Sequence, residues 1–238
     1  MSMDNKIVKE YGEAKESKVP FAVAEAYKSI RTNIMFLLTK KLGNVITVSG
    51  SDISEGKSTT SVNLAIAFSQ LGDKVLLIDA DLRRSSIHKK TKLENEAGLS
   101  DILGGFTEFD KVVKSVNPFL DVLTSGHAAP NPSELLGSAR FESLIEGLKD
   151  KYNYIIIDTP PVNVVTDALI VAPKSDGVVL VVRDKFTMSD ALKKAIESFE
   201  FANVKVLGAI MNAAGSKKGG KYYKKYHKSY NYKYGYKY

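Results

Sequence analysis

Four short runs of apolar, largely β-branched residues recur along this 238-residue chain, and each leads into a loop of small or polar residues. The runs are apolar throughout rather than alternating, which is typical of strands that are buried on both faces of a sheet. Segments with helical periodicity separate them, and strands that alternate with helices favour a parallel sheet. The four runs are residues 44–50, 74–81, 152–161 and 176–184, with further candidates at 204–212 and 119–126.

Three segments illustrate the helical periodicity between these runs. One follows residue 50, and a second, residues 139–152, puts four apolar side chains on one face. A third begins after Pro20 and carries an apolar stripe with spacings of three and four residues. The stripe consists of Val23, Ala26, Tyr27, Ile30, Ile34, Leu37 and Leu38.

The first run ends at a phosphate-binding motif. Residues 51–59 read S-D-I-S-E-G-K-S-T, close to the P-loop pattern G-x-x-x-x-G-K-[ST], with Ser51 in place of the first glycine. Backbone N–H groups at the start of the next helix would surround the β- and γ-phosphates, and Lys57 would add a positive charge. The expected nucleotide contacts are Ser54, Glu55, Gly56, Lys57, Ser58 and Thr59.

Acidic residues follow two other runs. In the third run, Asp158 follows the last apolar strand residue, the position of a Walker B carboxylate. In the second run, Asp79 and Asp81 stand at the end. Carboxyl ends of parallel strands form the ligand-binding edge of a sheet, so these side chains should meet the P-loop there. We expect Ser58, Asp79 and Asp158 to hold Mg²⁺. Asp81 is the preferred base for an incoming hydroxyl, although the sequence leaves the choice between Asp79 and Asp81 open.

The last 22 residues, 217–238, hold eight tyrosines, eight lysines and no acidic residue. They have too little apolar surface to offset the entropy of ordering, so we expect a flexible arm. These lysines account for more than the whole net charge of +7, so the rest of the chain is close to neutral. A nucleic-acid function would therefore have to reside in the arm, and we do not expect a nucleic-acid partner.

Taken together, these patterns predict an α/β fold with a mostly parallel, P-loop NTPase-like sheet, helices on both faces and a disordered C-terminal tail. Cysteine is absent, which fits the cytosol. The first residues lack the apolar core of a signal peptide, and the apolar runs are too short to span a bilayer. Any membrane association would therefore use a partner or the basic tail.

The motifs resemble those of bacterial tyrosine kinases of the capsule and exopolysaccharide type, which are deviant P-loop ATPases. Residues 51–59 are similar to the Walker A motif of that family, 75–83 to Walker A′, and 155–162 with Thr166 and Asp167 to Walker B and its extension. Residues 123–126 and 130–135 resemble a further family segment, and a C-terminal tyrosine cluster is typical of the family.

The resemblance implies an ATP-dependent protein tyrosine kinase that uses Mg²⁺ and phosphorylates its own tail, largely between subunits. It divides the chain into a flexible segment 1–19, a P-loop tyrosine kinase domain 20–214 and a tail 215–238. The implied catalytic residues are Lys57, Asp79, Asp81 and Asp158, and Asn212 matches a position that contacts adenine in related ATPases. The implied phosphate acceptors are Tyr222, Tyr223, Tyr226, Tyr230, Tyr232, Tyr234, Tyr236 and Tyr238.

The resemblance also implies partners. The family's oligomerisation motif, Glu-x-x-Arg-x-x-Arg, here reads Glu25, Lys28 and Arg31, which implies a homo-oligomeric ring. Members without membrane segments act with a separate transmembrane activator of the polysaccharide chain-length type. The chain is thus expected in the cytoplasm, recruited to the inner face of the membrane, where it would phosphorylate protein tyrosines and regulate capsular or exopolysaccharide synthesis and export.

Two other functions are compatible with parts of the sequence. A partition- or division-type ATPase switch would use the tail only to bind membrane or nucleic acid. Such ATPases usually carry a second lysine early in the P-loop, and none stands between Gly50 and Gly56. A nucleic-acid binder would use the basic, aromatic tail alone and would not require Lys57.

Overall fold

A computed structural model describes residues 21–38 and 42–214 of the chain. The expected flexible segment 1–19 and the expected tail 215–238 lie outside the described residues. Seven strands form a single sheet. They are β1 Asn44–Gly50, β2 Val75–Asp79, β3 Lys114–Asn117, β4 Leu120–Leu123, β5 Tyr154–Asp158, β6 Gly177–Arg183 and β7 Val206–Asn212.

Helices connect most of the strands. In chain order they are α1 Phe21–Leu37, α2 Lys57–Ser69, α3 Ile87–Thr91, α4 Leu99–Gly104, α5 Phe109–Val112, α6 Pro132–Gly137, α7 Ala139–Leu148, α8 Asp167–Val171, continued by a 3₁₀ turn Ala172–Lys174, and α9 Ser189–Phe201.

The strand order is β3-β4-β2-β5-β1-β6-β7. All neighbouring strands are parallel except β3 and β4, which are antiparallel. Each run that the sequence predicted as a strand is one, whereas the edge strand β3 was not predicted. The P-loop NTPase-like, mostly parallel α/β fold is confirmed.

Helices cover both faces of the sheet, because successive residues of the buried strands point to opposite sides. On one face, Ile46 and Leu77 pack with Leu64 and Phe68 of α2. On the other face, the neighbouring residues of the same strands pack against helices α4, α6, α7 and α8. Helix α9 covers β6 through a third apolar cluster. The central strands β1, β2 and β5 are consequently buried along their whole length.

Helix α1 lies against α2, but its apolar stripe is only partly covered. Ile34 is buried, and Ile30 and Leu38 pack on the core beside α2. Within the stripe, Val23 and Leu37 are 40% and 41% exposed, and outside it Phe21 and Phe36 are 74% and 81% exposed. The helix predicted from the apolar periodicity is confirmed, and its stripe is buried only in part.

Candidate active site

A cavity of about 530 Å³ opens at the carboxyl ends of β1, β2 and β5. Its wall contains all of the predicted P-loop residues except Glu55, together with Asp81 and the segment after β5. Asp79 and Asp158 do not line the cavity but end two neighbouring parallel strands at this edge, paired in register. The fold therefore brings together Lys57, Asp79, Asp81 and Asp158, as expected for ligand binding at this edge of a parallel sheet.

The P-loop backbone turns sharply between β1 and α2. Ser54 has φ 61° and Gly56 has φ 98°, both in the left-handed region. A Cβ at residue 56 would lie 1.9 Å from Nδ2 of Asn212, so only glycine fits there. Helix α2 begins at Lys57 directly after this turn. The first N–H groups of the helix have no partner within it, so they are available to a ligand in the cavity.

Glu55 explains how the loop tolerates Ser51 at the usual glycine position. The Glu55 carboxylate is fully buried and accepts hydrogen bonds from Ser51 Oγ at 2.5 Å and from the Asp52 N–H at 3.0 Å. A Cβ at Gly50 would lie 2.3 Å from Glu55 Oε2. The glycine therefore stands at residue 50, one position before the usual one. Its lack of a side chain leaves room for Glu55, whose buried carboxylate holds the loop through hydrogen bonds.

The loop is also held from β6 and β7. Thr187 Oγ1, in the segment after β6, donates to Glu55 Oε1 at 2.7 Å. Arg183 Nη1 donates to the Ser54 carbonyl at 3.2 Å, and Asn212 Nδ2 donates to the Glu55 carbonyl at 2.9 Å. The amide of Asn212, which family resemblance assigned to adenine, therefore contacts the phosphate loop here.

Lys57 folds back over the loop. Its side chain is largely buried, and Nζ donates to the Asp52 carbonyl at 2.7 Å. Burial lowers the pKa of Lys57, while Glu55 and, next in size, Asp158 oppose that shift by stabilising the ammonium. A cation held in this position can pair with the oxygens of a bound triphosphate.

Asp79 and Asp158 are completely buried. Asp79 Oδ2 accepts the N–H groups of Ser86 and Ile87, and Asp158 accepts hydrogen bonds from Ser58 and Ser61. Burial raises the pKa of both carboxyls, and the negative charge of Asp158 raises the pKa of Asp79 further.

One oxygen of each carboxylate has no hydrogen-bond partner in the described part of the chain, namely Asp79 Oδ1 and Asp158 Oδ2. Two orphaned acceptors beside a P-loop serine fit a Mg²⁺ ion, which prefers oxygen ligands and keeps several waters. Within the described residues, no cluster of three or more His, Cys, Asp or Glu suited to a metal is present. Binding of the ion would therefore depend on phosphate and water oxygens as well.

Asp81 differs from Asp79 although only one residue separates them. It is partly exposed, lines the cavity and accepts the Arg84 N–H at 2.8 Å through Oδ1. Strand β2 ends at Asp79, so Asp81 belongs to the loop that follows. This leaves Asp81 accessible to a second substrate, whereas Asp79 is enclosed.

Arg83 is oriented by a buried carboxylate. Its guanidinium makes two hydrogen bonds to Asp167, at 2.8 and 3.1 Å, and a third to Ser133 Oγ at 2.9 Å. Ser133 in turn donates to Asp167 at 2.7 Å. This network joins three segments that the sequence associated with the family, namely the segment after β2, helix α6 and the start of α8.

The predicted oligomerisation residues lie on α1, away from the cavity. Lys28 Nζ pairs with Glu25 Oε1 at 2.8 Å on the exposed surface. Arg31 instead turns towards α2, where Nη1 donates to the Ala67 carbonyl at 2.5 Å. The predicted phosphate acceptors, all between Tyr222 and Tyr238, lie outside the described residues.

Thr187, Arg183 and Ser61 also contribute to the site, and no sequence motif pointed to them. Their contacts depend on β6 lying beside β1 and on α2 lying over β5, neither of which a linear motif reports. None of the helices in 21–38 and 42–214 is long and apolar enough to cross a bilayer.

Comparison with known proteins agrees with this geometry. The family described as AAA domain matches residues 43–207. The tyrosine-protein kinase YwqD of Bacillus subtilis is 42% identical over 190 residues, which are 79% of this chain and 80% of that protein.

Solved structures give the same result. The crystal structure of the chimerical protein CapA2B2 matches with a TM-score of 0.76 and 36% identity, covering 87% of this chain and 89% of that chain. The kinase domain of the Escherichia coli tyrosine kinase ETK matches with a TM-score of 0.75 and 34% identity, covering 84% of this chain and 80% of that chain. The chain therefore belongs to the AAA-domain P-loop ATPases and, among them, to the bacterial protein-tyrosine kinases that its motifs resemble.

Proposed function

We propose that this chain transfers the γ-phosphoryl group of Mg·ATP to the tyrosines of its own C-terminal segment, largely between subunits, and thereby regulates capsular or exopolysaccharide synthesis and export. The observation that carries the proposal is the meeting of Lys57, Asp79, Asp81 and Asp158 at one edge of the sheet, in a chain whose last 22 residues hold eight tyrosines.

The phosphate side of the cavity would bind the triphosphate. Backbone N–H groups of residues 54–59 would donate to the phosphate oxygens at the start of α2, and Lys57 would exchange its hydrogen bond to Asp52 for one to the triphosphate. Ser58, Asp79 and Asp158 would hold Mg²⁺. When bound, that ion neutralises charge that develops on the phosphates.

Asp81 is the proposed base for transfer. The phenolic oxygen of an acceptor tyrosine attacks the γ-phosphorus, the bond from phosphorus to the β,γ-bridging oxygen breaks, ADP leaves, and the phenolic proton passes to Asp81. Its exposure to the cavity supports this role over Asp79, which is enclosed and already accepts two backbone N–H groups. A positioned carboxylate is needed because the unperturbed phenol has a pKa of about 10.

Assembly of the chain into a homo-oligomer is a further part of the proposal. Helix α1 exposes several apolar side chains next to Glu25 and Lys28, which supports a contact with a neighbouring subunit. A separate transmembrane activator of the polysaccharide chain-length type would recruit the assembly to the inner face of the membrane. Protein tyrosines elsewhere would be additional substrates.

The test is to incubate the full-length chain with labelled Mg·ATP and to map phosphate by residue. We expect label on the C-terminal tyrosines, and loss of that label in Lys57→Met. Mixing Lys57→Met, as acceptor, with the active chain separates transfer between subunits from transfer within one. Hydrolysis of ATP without any tyrosine label, with a suitable activator present, would contradict the proposal and favour an ATPase switch.

A further inference from the structure

The cavity is lined by more than the P-loop. From the P-loop after β1 it continues over the carboxyl ends of β5 and β2, in the direction away from β6 and β7. Asn212, at the end of β7, is not among its lining residues. This extension therefore lies beyond the P-loop, where it leaves room for a second substrate.

One wall of the extension is apolar. Pro160 and Pro161 follow the Walker B strand after Thr159 and are buried at the base of this wall, and Val164 and Val165 are its more accessible side chains. Val164 is 56% exposed although it is an aliphatic residue beside the cavity. A flat aromatic ring packs well against exposed valine side chains, so this wall suits the ring of an acceptor tyrosine.

Another part of the rim is cationic. Arg84 and Lys90 line the cavity, both are exposed, and neither forms an ion pair with any residue in the described ranges. Arg83, beside them, is instead held by Asp167. Two uncommitted cations on an exposed rim suit a phosphate ester, because charge-assisted hydrogen bonds to phosphate are strong.

The acceptor segment itself has a regular spacing. Tyr230, Tyr232, Tyr234, Tyr236 and Tyr238 alternate with other residues. In an extended peptide, residues two apart point to the same side and are separated by about 7 Å. A phosphorylated tyrosine could thus contact the cationic rim while a nearby tyrosine lies against the apolar wall.

We propose that Arg84 and Lys90 form a phosphotyrosine-binding subsite beside the acceptor position, so that one phosphorylated tyrosine favours transfer to the tyrosine two residues away. The inference rests on the proposed function, and it makes phosphorylation of the tail sequential rather than independent at each tyrosine. A tyrosine with an acidic neighbour would be favoured for the same reason, though less strongly, since a carboxylate carries less charge.

The first experiment follows full-length chains with Mg·ATP by intact-mass spectrometry, which resolves chains with different numbers of phosphates. In the double variant Arg84→Gln/Lys90→Gln, we expect the rate of the second transfer relative to the first to fall by about threefold or more, the scale of an exposed charge-assisted contact. Lys89→Gln is the matched control. Lys89 is the exposed neighbour of Lys90 but does not line the cavity. The ratio of second to first transfer rate in Lys89→Gln should therefore match that of the unmodified chain.

The second experiment measures direct binding. A fluorescent peptide of residues 230–238 with phosphotyrosine at Tyr232 is compared with the unphosphorylated peptide, using the full-length chain saturated with a non-hydrolysable Mg·ATP analogue. Occupying the P-loop in this way prevents the phosphate from binding there. We expect tighter binding of the phosphorylated peptide, and loss of that preference in the double variant but not in Lys89→Gln.

Two results would overturn the subsite. One is an equal slowing of first and later transfers in the double variant. That result would mean that Arg84 and Lys90 contact ATP, or contact an acceptor segment whether or not it is phosphorylated. The other is an unchanged ratio together with an unchanged peptide preference. Both differ from failure of the proposed function, in which no tyrosine of the unmodified chain would be labelled at all.

Discussion

The two sides of the cavity are built differently. On the phosphate side, Glu55, Asp79 and Asp158 are fully buried, Lys57 is nearly so, and side chains from β6 and β7 hold the loop. On the proposed acceptor side, Arg84, Lys90 and Val164 are exposed. The nucleotide would thus meet a surface that is already arranged, whereas the protein substrate would meet one that is left open. Such a division suits an acceptor that arrives on another segment of chain.

Removing the proposed base, Asp81, should separate the two sides most clearly, because tyrosine transfer should fall while ATP affinity is kept. Asp81→Asn is expected to lower the rate of tyrosine transfer by about 10²- to 10⁴-fold, the usual contribution of a general base, while ATP still binds. Transfer rate at saturating ATP and the dissociation constant of Mg·ATP would be measured separately. Retention of full transfer would remove Asp81 from this role, and the same measurements on Asp79→Asn would then examine the other candidate.

The buried carboxylates on the phosphate side should make the metal-free protein less stable at neutral pH. Burial and Asp158 raise the pKa of Asp79, so the folded state binds this proton more tightly than the unfolded state. The stability that protonated Asp79 contributes is fully present below the pKa of about 4 that this carboxyl has in the unfolded chain. It is lost as the pH rises through the higher pKa of the folded state.

Asp79→Asn tests this directly. An asparagine oxygen can still accept the N–H groups of Ser86 and Ile87, so we expect about 1–3 kcal/mol of added stability at pH 7 without metal. Chemical unfolding in the presence of a chelator, at several pH values, measures the effect. A less stable variant across the whole pH range would show that ionised Asp79 is not a cost to the fold.

Removing the hydrogen bond between the segment after β6 and the P-loop should weaken nucleotide binding. Thr187→Val deletes the hydroxyl that donates to Glu55 and accepts the Arg183 N–H, and it nearly preserves shape, so we expect a loss of about 1 kcal/mol, or roughly fivefold, in Mg·ATP affinity. Thr187→Ser should restore it. Ser198→Ala, which removes a hydroxyl bonded only within α9, is the control. An unchanged affinity with a lowered melting temperature would make this hydrogen bond purely structural.

The smallest effect is expected on the acceptor side. Val164→Ala removes part of an exposed apolar wall, and we expect a two- to threefold rise in KM for a tyrosine peptide, on the order of 0.5 kcal/mol, with ATP affinity unchanged. Steady-state kinetics with varied peptide and fixed, saturating ATP checks this. An effect on ATP affinity instead would mean that the wall belongs to the nucleotide side.

Much of this architecture could be predicted because its signals are local. Continuous apolar runs predicted β1, β2, β5 and β6, and the rule that parallel strands present ligands at their carboxyl ends predicted the meeting of Lys57 with three aspartates. Strand β3 escaped prediction because it is a short, partly exposed edge strand with a break in register against β4.

Other features depend on which strands become neighbours. Thr187 and Glu55 are 132 residues apart, and only the pairing of β6 with β1 brings them together. The partner of Arg31 is also non-local, 36 residues along the chain. Its charge suggested a contact within or beyond α1, but helix packing presents it to the carbonyl of Ala67 near the end of α2. A charge pattern along one helix cannot distinguish these possibilities.

The hydrogen bond from Lys57 to the Asp52 carbonyl has an energetic consequence. In this position the ammonium has already given up most of its hydration, and a peptide oxygen stands in for the phosphate. The cost of dehydrating that cation is thus met when the chain folds and would not recur at each encounter with ATP. In the proposed binding mode, nucleotide capture would exchange one oxygen partner for another, with little reordering of solvent around the lysine.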